Sequence, residues 1–375
     1  MRLAVLCDFR EENWPSMDLV ADMLLAEVRA DLTSGVRALR ICPTMTRRFS
    51  RLPFVDARPA AFNLDRLLNR FWDYPRHLRR RVRQFDWYHV ADHSYAQLVH
   101  VLPPERTGVF CHDLDSFRCL LEPGKEPRPR WFACMMRRVL KGLQKAAVVF
   151  YSTADVRRRI EQYGLIDTAK LVQVPYGVSR EFSPEPTDDA AAAESMAELN
   201  GRPFLLHVGS CISRKRIDVL LDVFAELHRR LPELMLVQVG GNWTAPQQAQ
   251  LERLRLQARV IQRRGLHRRE LATLYRRSSL VLLPSESEGF GLPLIEALAC
   301  GARVVVSDIP VLREVGGSAV SYCPVGQIRQ WADTVCQLLA DWTAGPDRIS
   351  RLAQASRFSW ARHAHEILSA YRRLA

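Results

Sequence analysis

The residues from 280 to 308 constrain the fold of this chain more than any other stretch. Their pattern predicts, in order, a buried apolar strand, a glycine-bearing loop, a short helix and a second strand. These elements cover residues 280–283, 285–291, 293–299 and 304–306. Pro293 suits the first helical turn, and Gly301 suits the position just past the last one. The helix N-terminus therefore faces the carboxyl end of a strand, where open α/β sheets bind ligands and free backbone N–H groups attract phosphate.

Two glutamates frame this unit, with seven residues between them. Glu288 lies in the loop, and Glu296 lies one turn into the predicted helix. A nucleotide sugar would suit both, because a carboxylate can accept two hydrogen bonds from a ribose diol or from hexose hydroxyls. Taken alone, each glutamate is more typical of a solvated surface residue.

A second strand–loop–helix pattern opens the C-terminal half of the chain. Its loop begins with Gly209 and Ser210, and Arg214 and Lys215 precede a helix predicted over residues 217–231. Backbone amides, a helix dipole and two cations together form a place that can hold a diphosphate. Taken alone, the two cations are more typical of a solvated helix start.

The string EGFGLPLIEALACG, which begins at Glu288, resembles the Glu-x7-Glu signature of the retaining glycosyltransferases of family 4. Arg214 and Lys215 are similar to the Arg-Lys pair that binds pyrophosphate in that family. The segment PYGVSREFSPE also resembles the family's segment before the crossover between domains, with Tyr176 where asparagine is usual. The resemblance implies the GT-B architecture, an α/β fold of two Rossmann-like, doubly wound domains that face a cleft.

The resemblance also implies a reaction. A hexosyl unit would pass from a nucleoside diphosphate sugar, GDP-mannose or a UDP-hexose, to a hydroxyl of a glycan or lipid-linked acceptor, with retention. No metal, other cofactor or protein nucleophile is implied. The catalytic residues would be His112, Arg214, Lys215 and Glu288. The donor-binding residues would be Gly209, Ser210, Arg214, Lys215, Glu288, Gly289, Phe290, Gly291, Leu292 and Glu296, with Glu296 on the ribose.

Length and composition predict two domains, since 375 residues is long for one. An abrupt shift to Pro, Ala, Asp and Glu indicates a linker over residues 183–200. We therefore expect an N-terminal, acceptor-side domain over residues 1–182 and a C-terminal nucleotide-sugar domain over residues 201–358. By the resemblance, residues 359–375 form a last helix that crosses back to the N-terminal domain.

The segment His112-Asp113-Leu114-Asp115 follows a short buried strand and has three interpretations. Asp113 and Asp115 match the metal-binding DxD pattern of the other large glycosyltransferase architecture, although chance often supplies so short a pattern. His112 alternatively contacts the donor sugar, as a histidine in this context does in the family resembled, and we favour that role. The third possibility is structural: the histidine and aspartate cap the following helix.

The loop after the first strand, DFREENWPS, contains no glycine, whereas members of the family usually have a glycine-rich turn there. Trp14 either shapes the acceptor side or packs the loop. Ser16 is a candidate N-cap for a helix over residues 17–29. We expect Trp14, Ser16 and Asp113 on the acceptor side.

The net charge of +13 lies mostly in residues 1–178, and RHLRRRVR from Arg76 to Arg83 is its densest run. An anionic membrane surface, a phosphorylated acceptor, nucleic acid or solvated helix faces would each account for it. The first residues, MRLAVLCDFREEN, predict a strand rather than a signal peptide, and no apolar run reaches the roughly 18 residues of a membrane span. Nine scattered cysteines without a CxxC pair favour a cytoplasmic protein, with peripheral attachment to the inner face of the membrane as an option.

Three other functions fit parts of the pattern. A nucleotide-sugar epimerase or hydrolase would share the donor site but needs an acid/base set, and the N-terminal half shows no obvious carboxylate pair. A nucleic-acid-binding protein would need a recognisable module or aromatic stacking motif, and we expect no nucleic-acid partner. A non-catalytic scaffold is expected to have lost Lys215 or one glutamate, and this chain keeps all three.

Overall fold

The computed structural model describes residues 1–31, 33, 35–51, 59–81, 83–185 and 196–375. Contacts between Cα atoms divide the chain into two compact units, and the C-terminal helix belongs to the first of them. The first unit comprises Met1–Tyr176 and Trp360–Ala375, and the second Gly177–Ser359. Most of the linker predicted over residues 183–200 falls on residues 186–195, outside the described ranges.

The first unit contains a six-stranded sheet in the order β2-β1-β3-β4-β5-β6, with every pair parallel. Its strands are β1 Arg2–Leu6, β2 Arg37–Ile41, β3 Trp87–Val90, β4 Thr107–Cys111, β5 Val148–Tyr151 and β6 Leu171–Gln173. The central strands β3, β4 and β5 are buried along their whole length. This burial follows from helices that cover both faces of a parallel sheet, which explains why these strands are mostly apolar rather than alternating.

The helices of the first unit, apart from the last one, lie between successive parallel strands of its sheet. They are α1 Pro15–Ala30, α2 Pro59–Leu68, α3 Tyr74–Arg79, α4 Arg118–Leu121, α5 Arg130–Lys145, α6 Ala154–Gln162 and, from the end of the chain, α14 Trp360–Leu374. A π-helical segment, Asn69–Asp73, joins α2 to α3. Short 3-10 helices cover Arg10–Glu12, His93–Val101, Pro104–Arg106, Asp115–Phe117 and Thr168–Lys170.

The second unit repeats this plan with the strand order β12-β11-β10-β7-β8-β9, again all parallel. Its strands are β7 Phe204–Gly209, β8 Met235–Gly240, β9 Val260–Arg263, β10 Leu280–Leu283, β11 Val304–Ser307 and β12 Ser321–Cys323. Its helices are α7 Ile217–Arg230, α8 Ala245–Arg253, α9 Arg268–Arg277, α10 Leu292–Ala299, α11 Pro310–Gly316, α12 Ile328–Ala340 and α13 Arg348–Ser356. A 3-10 turn, Ser213–Lys215, precedes α7.

Each sheet reverses its winding direction beside its first strand. In the first unit β1 lies between β2 and β3, and in the second unit β7 lies between β8 and β10. Ligands of open α/β sheets bind outside the carboxyl ends of the two strands that flank such a switch point. We therefore expect functional residues in the loops that follow β1 and β3 in the first unit and β7 and β10 in the second.

Glycine permits a close approach at the second switch point. Gly240 has φ +145°, and a Cβ atom there would lie 1.9 Å from the carbonyl oxygen of Gly209. Only glycine fits, because any side chain would collide with backbone and would also be strained at that φ. The turn after β8 thus packs directly against the turn after β7.

Most local predictions are confirmed. The predicted helix 293–299 is α10, which starts one residue earlier, and Gly301 follows it with φ +74°. The N-cap prediction for Ser16 is wrong, because α1 begins at Pro15 and its N-cap is Trp14, with no side-chain cap. A proline can occupy the first helical position without loss of a hydrogen bond, which moves the helix start before the serine.

Asp65 orders the loop after β2. Its buried carboxylate accepts hydrogen bonds from the backbone N–H groups of Arg48, Phe49 and Ser50 and from the Ser50 hydroxyl. Burial alone raises the pKa of Asp65, but the Ser50 hydroxyl and the three amides outweigh it and lower that pKa to about 2. The carboxylate therefore stabilises the folded state above about pH 4.

Asp65→Asn is expected to lower the free energy of unfolding by about 2 kcal/mol at pH 7, because an amide replaces a carboxylate that accepts four hydrogen bonds. The difference from the wild type should vanish as the pH falls through about 4 towards about 2, where the wild-type carboxylate gains its proton. Urea unfolding across that pH range measures it. Asp333→Asn, at an exposed position, is the control, and an equal loss in both variants would contradict the role given to Asp65.

Candidate active site in the second unit

A buried ion pair lies at the switch point of the second sheet. Lys215, after β7, donates from Nζ to both carboxylate oxygens of Glu288, after β10, at 2.5 and 2.7 Å. The Ser285 hydroxyl donates to the same carboxylate at 2.7 Å, and Arg214 Nη1 lies 3.4 Å from Glu288 Oε2. Lys215 is only 8% exposed. Three groups predicted from two separate motifs, Arg214 with Lys215 and Glu288, are thus brought together in one cluster.

Backbone contacts hold the two loops together. The N–H of Glu286 donates to the carbonyl of Arg214 at 2.8 Å, and Arg214 Nη1 donates to the Ser287 carbonyl at 3.0 Å. Arg216 follows the 3-10 turn with φ +51°, in the left-handed region, and forms the N-cap of α7. This reversal lets Lys215 point inward while the chain enters α7.

The electrostatics of the cluster favour the ionised pair. Burial would raise the pKa of Glu288, but Lys215, the Ser285 hydroxyl and Arg214 lower it below its ordinary value. Both charges are therefore present at neutral pH. A ligand that carries an anion and hydroxyl groups could exchange partners with this pair, since its phosphate would match the cations and its hydroxyls the carboxylate.

His207 lies beneath this cluster and was missed by sequence reasoning. Its Nδ1 lies 2.8 Å from the Leu282 carbonyl, and its buried Nε2 has no hydrogen-bond partner among the described residues. Burial, with the nearby Lys215 as a smaller cause, lowers the pKa of His207 to about 4. A neutral imidazole therefore packs behind the turn at Gly209. Because His207 lies within an otherwise apolar strand, the sequence did not indicate that it belongs to the site.

Glu296 occupies a different environment from Glu288. Its Oε2 accepts a hydrogen bond from the Tyr275 hydroxyl at 3.2 Å. Burial raises the pKa of Glu296 to about 8, while Tyr275 and the more distant Arg268 lower it only in part. The side chain is therefore mostly protonated at neutral pH, and it becomes a two-oxygen acceptor only after it loses that proton.

The other predicted donor-side residues line the same loops. Ser210 is exposed after β7, and Gly291 forms the N-cap of α10 with φ +93°. Leu292 is the first residue of α10, and Phe290 is buried edge-on against Phe358 with ring centroids 5.6 Å apart. Phe290 thus acts as a packing anchor for the loop that carries Glu288 and Gly289.

His112 belongs to the first unit, at the carboxyl end of β4. Its Nε2 lies 2.7 Å from the Ala91 carbonyl, and its Nδ1 is hydrogen-bonded to the Tyr176 hydroxyl. A carbonyl only accepts, so Nε2 carries the proton and Nδ1 accepts from Tyr176. Burial lowers the pKa of His112 despite the nearby Asp92. Both ring nitrogens are therefore used within the first unit.

The predicted acceptor-side residues differ in their surroundings. Trp14 is 53% exposed and its indole N–H lies 3.3 Å from Glu12 Oε2, so it does not pack the loop interior. Ser16 is exposed in the first turn of α1. Asp113 accepts from the Asp115 N–H at 2.9 Å, which fits the structural, turn-capping interpretation of that pair. Within the described ranges, no group of three or more His, Cys, Asp or Glu is placed to hold a metal ion.

The first unit contains a carboxylate pair that the sequence did not reveal. Asp8 follows β1, Asp92 follows β3, and their carboxyl groups share a hydrogen bond. Burial and the adjacent Asp92 raise the pKa of Asp8 well above its ordinary value, so that Asp8 is the protonated partner. The sequence of the N-terminal half showed no obvious pair of this kind, and the structure contains one. Neither residue lies in a motif, and only the sheet order brings them together.

No helix in the described part of the chain is both long and apolar enough to cross a membrane.

The basic run from Arg76 to Arg83 lies away from the Asp8–Asp92 pair. Arg79, Arg80 and Arg83 border a cavity of about 450 Å³ near the residues that enter β3 and β4. That position is at the amino ends of the strands, the opposite edge of the sheet from Asp8 and Asp92.

Comparison with known proteins identifies the family. The model of the family described as glycosyl transferases group 1 matches residues 189–372. The D-inositol 3-phosphate glycosyltransferase of Segniliparus rotundus is 31% identical over 321 residues, which cover 79% of this chain and 68% of that protein. The serotype-specific mannosyltransferase WbdA of Escherichia coli is 27% identical over 293 residues, 72% of this chain and 34% of that protein.

Solved structures agree with the fold. The Anabaena protein Alr3699/HepE in complex with UDP-glucose matches with a TM-score of 0.75 at 16% identity, over 100% of both chains. Sucrose-phosphate synthase from Thermosynechococcus elongatus matches with a TM-score of 0.73 at 17% identity, over 100% of this chain and 99% of that one. Together with the two doubly wound sheets, these matches establish the two-domain, Rossmann-like GT-B fold. The chain belongs to the glycosyl transferases of group 1.

Proposed function

We propose that this glycosyltransferase moves a hexosyl unit from a nucleoside diphosphate sugar to a hydroxyl group of a glycan or lipid-linked acceptor, with retention. The observation that carries this proposal is the Lys215–Glu288 pair, with Arg214 beside it, at the switch point of the second sheet. When the donor binds, Lys215 and Arg214 turn to its diphosphate, and Glu288 turns to the sugar hydroxyls. All three groups already lie within one hydrogen-bonded cluster, so the donor only exchanges partners.

Catalysis in this proposal is electrostatic. The bond between the anomeric carbon and the diphosphate oxygen breaks, a bond from that carbon to the acceptor oxygen forms, and the leaving diphosphate gains negative charge and takes up the hydroxyl proton. Arg214 and Lys215 stabilise that charge in a site shielded from water, where such interactions are strongest. The Glu296 carboxylate accepts from the ribose diol. The two protein cations supply the countercharge, and the proposal therefore includes no metal.

His112 remains the proposed contact on the anomeric side of the sugar. Its ring nitrogens bind Ala91 and Tyr176, so the contact is made by the ring edge unless Tyr176 moves. Retention is supported only by the resemblance to family 4. Both donors stay open, since HepE was solved with UDP-glucose and WbdA is a mannosyltransferase.

Thermal unfolding with GDP, UDP, ADP and TDP, each with and without EDTA, tests the proposal. One nucleotide is expected to raise the midpoint, and a hundredfold excess over its dissociation constant adds about 2.7 kcal/mol. EDTA should leave the shift unchanged. Glu296→Gln should weaken it, because the ribose loses its acceptor, whereas Glu366→Gln, on the surface of α14, should not. No shift with any nucleotide, or a shift that needs a metal, would contradict the donor site as described.

A further inference from the structure

The carboxyl edge of the first sheet carries a chain of four ionisable side chains. Asp8 hydrogen-bonds Asp92, and Asp92 Oδ1 lies 3.3 Å from His93 Nδ1. His93 Nε2 lies 3.7 Å from Asp113 Oδ1. The chain runs from the interior, where Asp8 is 4% exposed, to Asp113, whose side chain is 30% exposed. It crosses the switch point between β1 and β3, where this fold binds ligands.

The His93 end of the chain is incomplete. His93 is only 3% exposed, yet its Nε2 has no hydrogen-bond partner among the described residues. Buried polar atoms are nearly always satisfied, and an exception calls for an explanation such as a ligand. Nε2 points towards the Asp113 carboxylate but lies too far from it for a hydrogen bond. Asp113 Oδ1 already accepts from the Asp115 N–H, so a ligand atom beside the two groups would give Nε2 a partner and Oδ1 a second one.

The segment around His93 is closely packed and hydrogen-bonded. The N–H of Ser94 donates to Asp92 Oδ1 at 2.6 Å, and the N–H of His112 lies 3.4 Å from His93 Nδ1. Helix α5 packs so closely on the segment His93–Val101 that a Cβ atom on Gly142 would lie 2.0 Å from the Ala96 carbonyl oxygen. His93 is therefore held in place before any ligand arrives.

A hydroxyl group is the ligand that fits this gap. A hydroxyl both donates and accepts hydrogen bonds. It can donate to the Asp113 carboxylate, and it can accept from a protonated His93 Nε2 or donate to an unprotonated one. His93 Nε2 and Asp113 Oδ1 are 3.7 Å apart, so one oxygen about 2.8 Å from each can bind both. A phosphate or carboxylate would instead face like charge from Asp113 and from the ionised Asp92.

The surrounding charges reinforce this choice. Besides Asp8, three more carboxyl groups, those of Glu12, Asp92 and Asp113, lie at this edge, whereas the Arg70 guanidinium, 3.5 Å from Glu12, is the nearby cation that the Asp8 and Asp92 pair faces. The named groups carry more negative than positive charge. Arg79, Arg80 and Arg83 lie at the other edge of the sheet and do not offset this charge locally.

We propose that His93 and Asp113 form the subsite that binds the reacting hydroxyl of an uncharged polyol acceptor, a sugar or cyclitol, and that Asp92 and Asp8 position His93. This inference rests on the proposed function for its role in transfer. The subsite selects against a phosphate next to the reacting hydroxyl. Asp92 and Asp8 are positioning residues, since they act through His93.

NMR of the full-length protein, labelled with ¹³C at the histidine ring Cε1, tests binding without turnover. The His93 signal is assigned with His93→Gln. Methyl α-mannopyranoside and myo-inositol are the neutral probes, and mannose 6-phosphate and inorganic phosphate are the anionic ones. At least one neutral probe is expected to shift the His93 signal saturably, and the anions should bind more weakly. An unmoved His93 signal with both neutral probes, or tighter binding of an anion, would overturn the subsite.

Asp113→Asn supplies the second readout. It is expected to weaken the neutral probe about tenfold, the effect of one charge-assisted hydrogen bond. It should also raise the use of a phosphorylated acceptor relative to its neutral counterpart, which a purely structural role would not do. Asp115→Asn, exposed two residues away, is the matched control and should change neither quantity.

The two proposals can fail separately. Nucleotide-induced thermal shifts should be equal in the wild type and in Asp113→Asn, because the residues proposed to bind the nucleotide and its diphosphate belong to the second unit. Loss of every nucleotide shift with an intact His93 response would reject the donor site alone. A normal nucleotide shift with no His93 response would reject the hydroxyl subsite alone.

Discussion

Replacing Lys215 with methionine is expected to lower the rate of sugar transfer by about 10²–10³-fold, the usual effect of removing one charge-stabilising group from an active site. It should also destabilise the second unit by about 3–5 kcal/mol, because Glu288 keeps a buried charge without its nearest cation. Methionine fills a similar volume, so the loss reports charge rather than a cavity. Steady-state kinetics and urea unfolding at pH 8 measure the two effects.

The stability cost of Lys215→Met depends on pH in a defined direction. The pKa of Glu288 lies below its ordinary 4.5 in the folded protein, so the ion pair stabilises above about pH 4.5 and loses its effect as the pH falls through the lower, folded-state pKa. In the variant Glu288 can take up a proton more easily. The cost should therefore shrink under acidic conditions.

A double variant separates stability from catalysis. Lys215→Met with Glu288→Gln removes both charges and is expected to recover most of the stability while transfer stays low. Lys141→Met, at an exposed position on α5, is the control and should alter neither. A single Lys215→Met variant with a wild-type kcat would show that this ammonium does not stabilise the leaving diphosphate.

Glu296→Gln is expected to change how stability varies with pH. The raised pKa of about 8 means that folded Glu296 keeps its proton where the unfolded side chain, near 4.5, has lost it. The stabilisation of the folded state by this retained proton is fully present below about pH 4.5 and is lost as the pH rises through about 8. The free energy of unfolding of the glutamine variant, taken relative to that of the wild type, should therefore rise by on the order of 3–5 kcal/mol between pH 5 and pH 9. Unfolding in urea across that range measures the gain.

Ligand binding gives a second readout of Glu296. The ribose diol donates two hydrogen bonds, which requires the ionised carboxylate, so nucleotide binding should release a proton below about pH 8 and tighten as the pH rises towards that value. Calorimetry in buffers of different ionisation enthalpy detects the proton. A 2′,3′-dideoxy nucleotide, which lacks the diol, should bind the wild type and Glu296→Gln alike. Equal proton release with both nucleotides would exclude the diol contact.

Much of the second unit could be predicted from local pattern. The apolar run at Leu280–Leu283 is a strand because it is buried on both faces, and Gly301 ends α10 because it adopts a positive φ. Arg214 and Lys215 were recognised from a glycine turn before a helix. These signals lie within a few residues of one another, and a single sequence records them directly.

Other parts of the candidate sites could not be predicted in this way. Lys215 and Glu288 are separated by 73 residues, and their pairing depends on β7 lying next to β10. Asp8, Asp92 and His93 lie in no recognisable motif, and the N-terminal half gave no sign of a carboxylate pair. The helix start at Pro15 was also missed, since an N-cap serine and a proline at the first helical position compete in the same segment.

The sequence by itself determined the elements, the two-domain plan and the donor-side residue types, because hydrophobic periodicity, glycine and proline act over one or two turns. The tertiary structure alone decided which charges meet, which carboxyl group keeps a proton and which buried nitrogen lacks a partner. Those properties depend on strand order and on burial. Both arise from packing between segments far apart in the chain, and no local pattern records them.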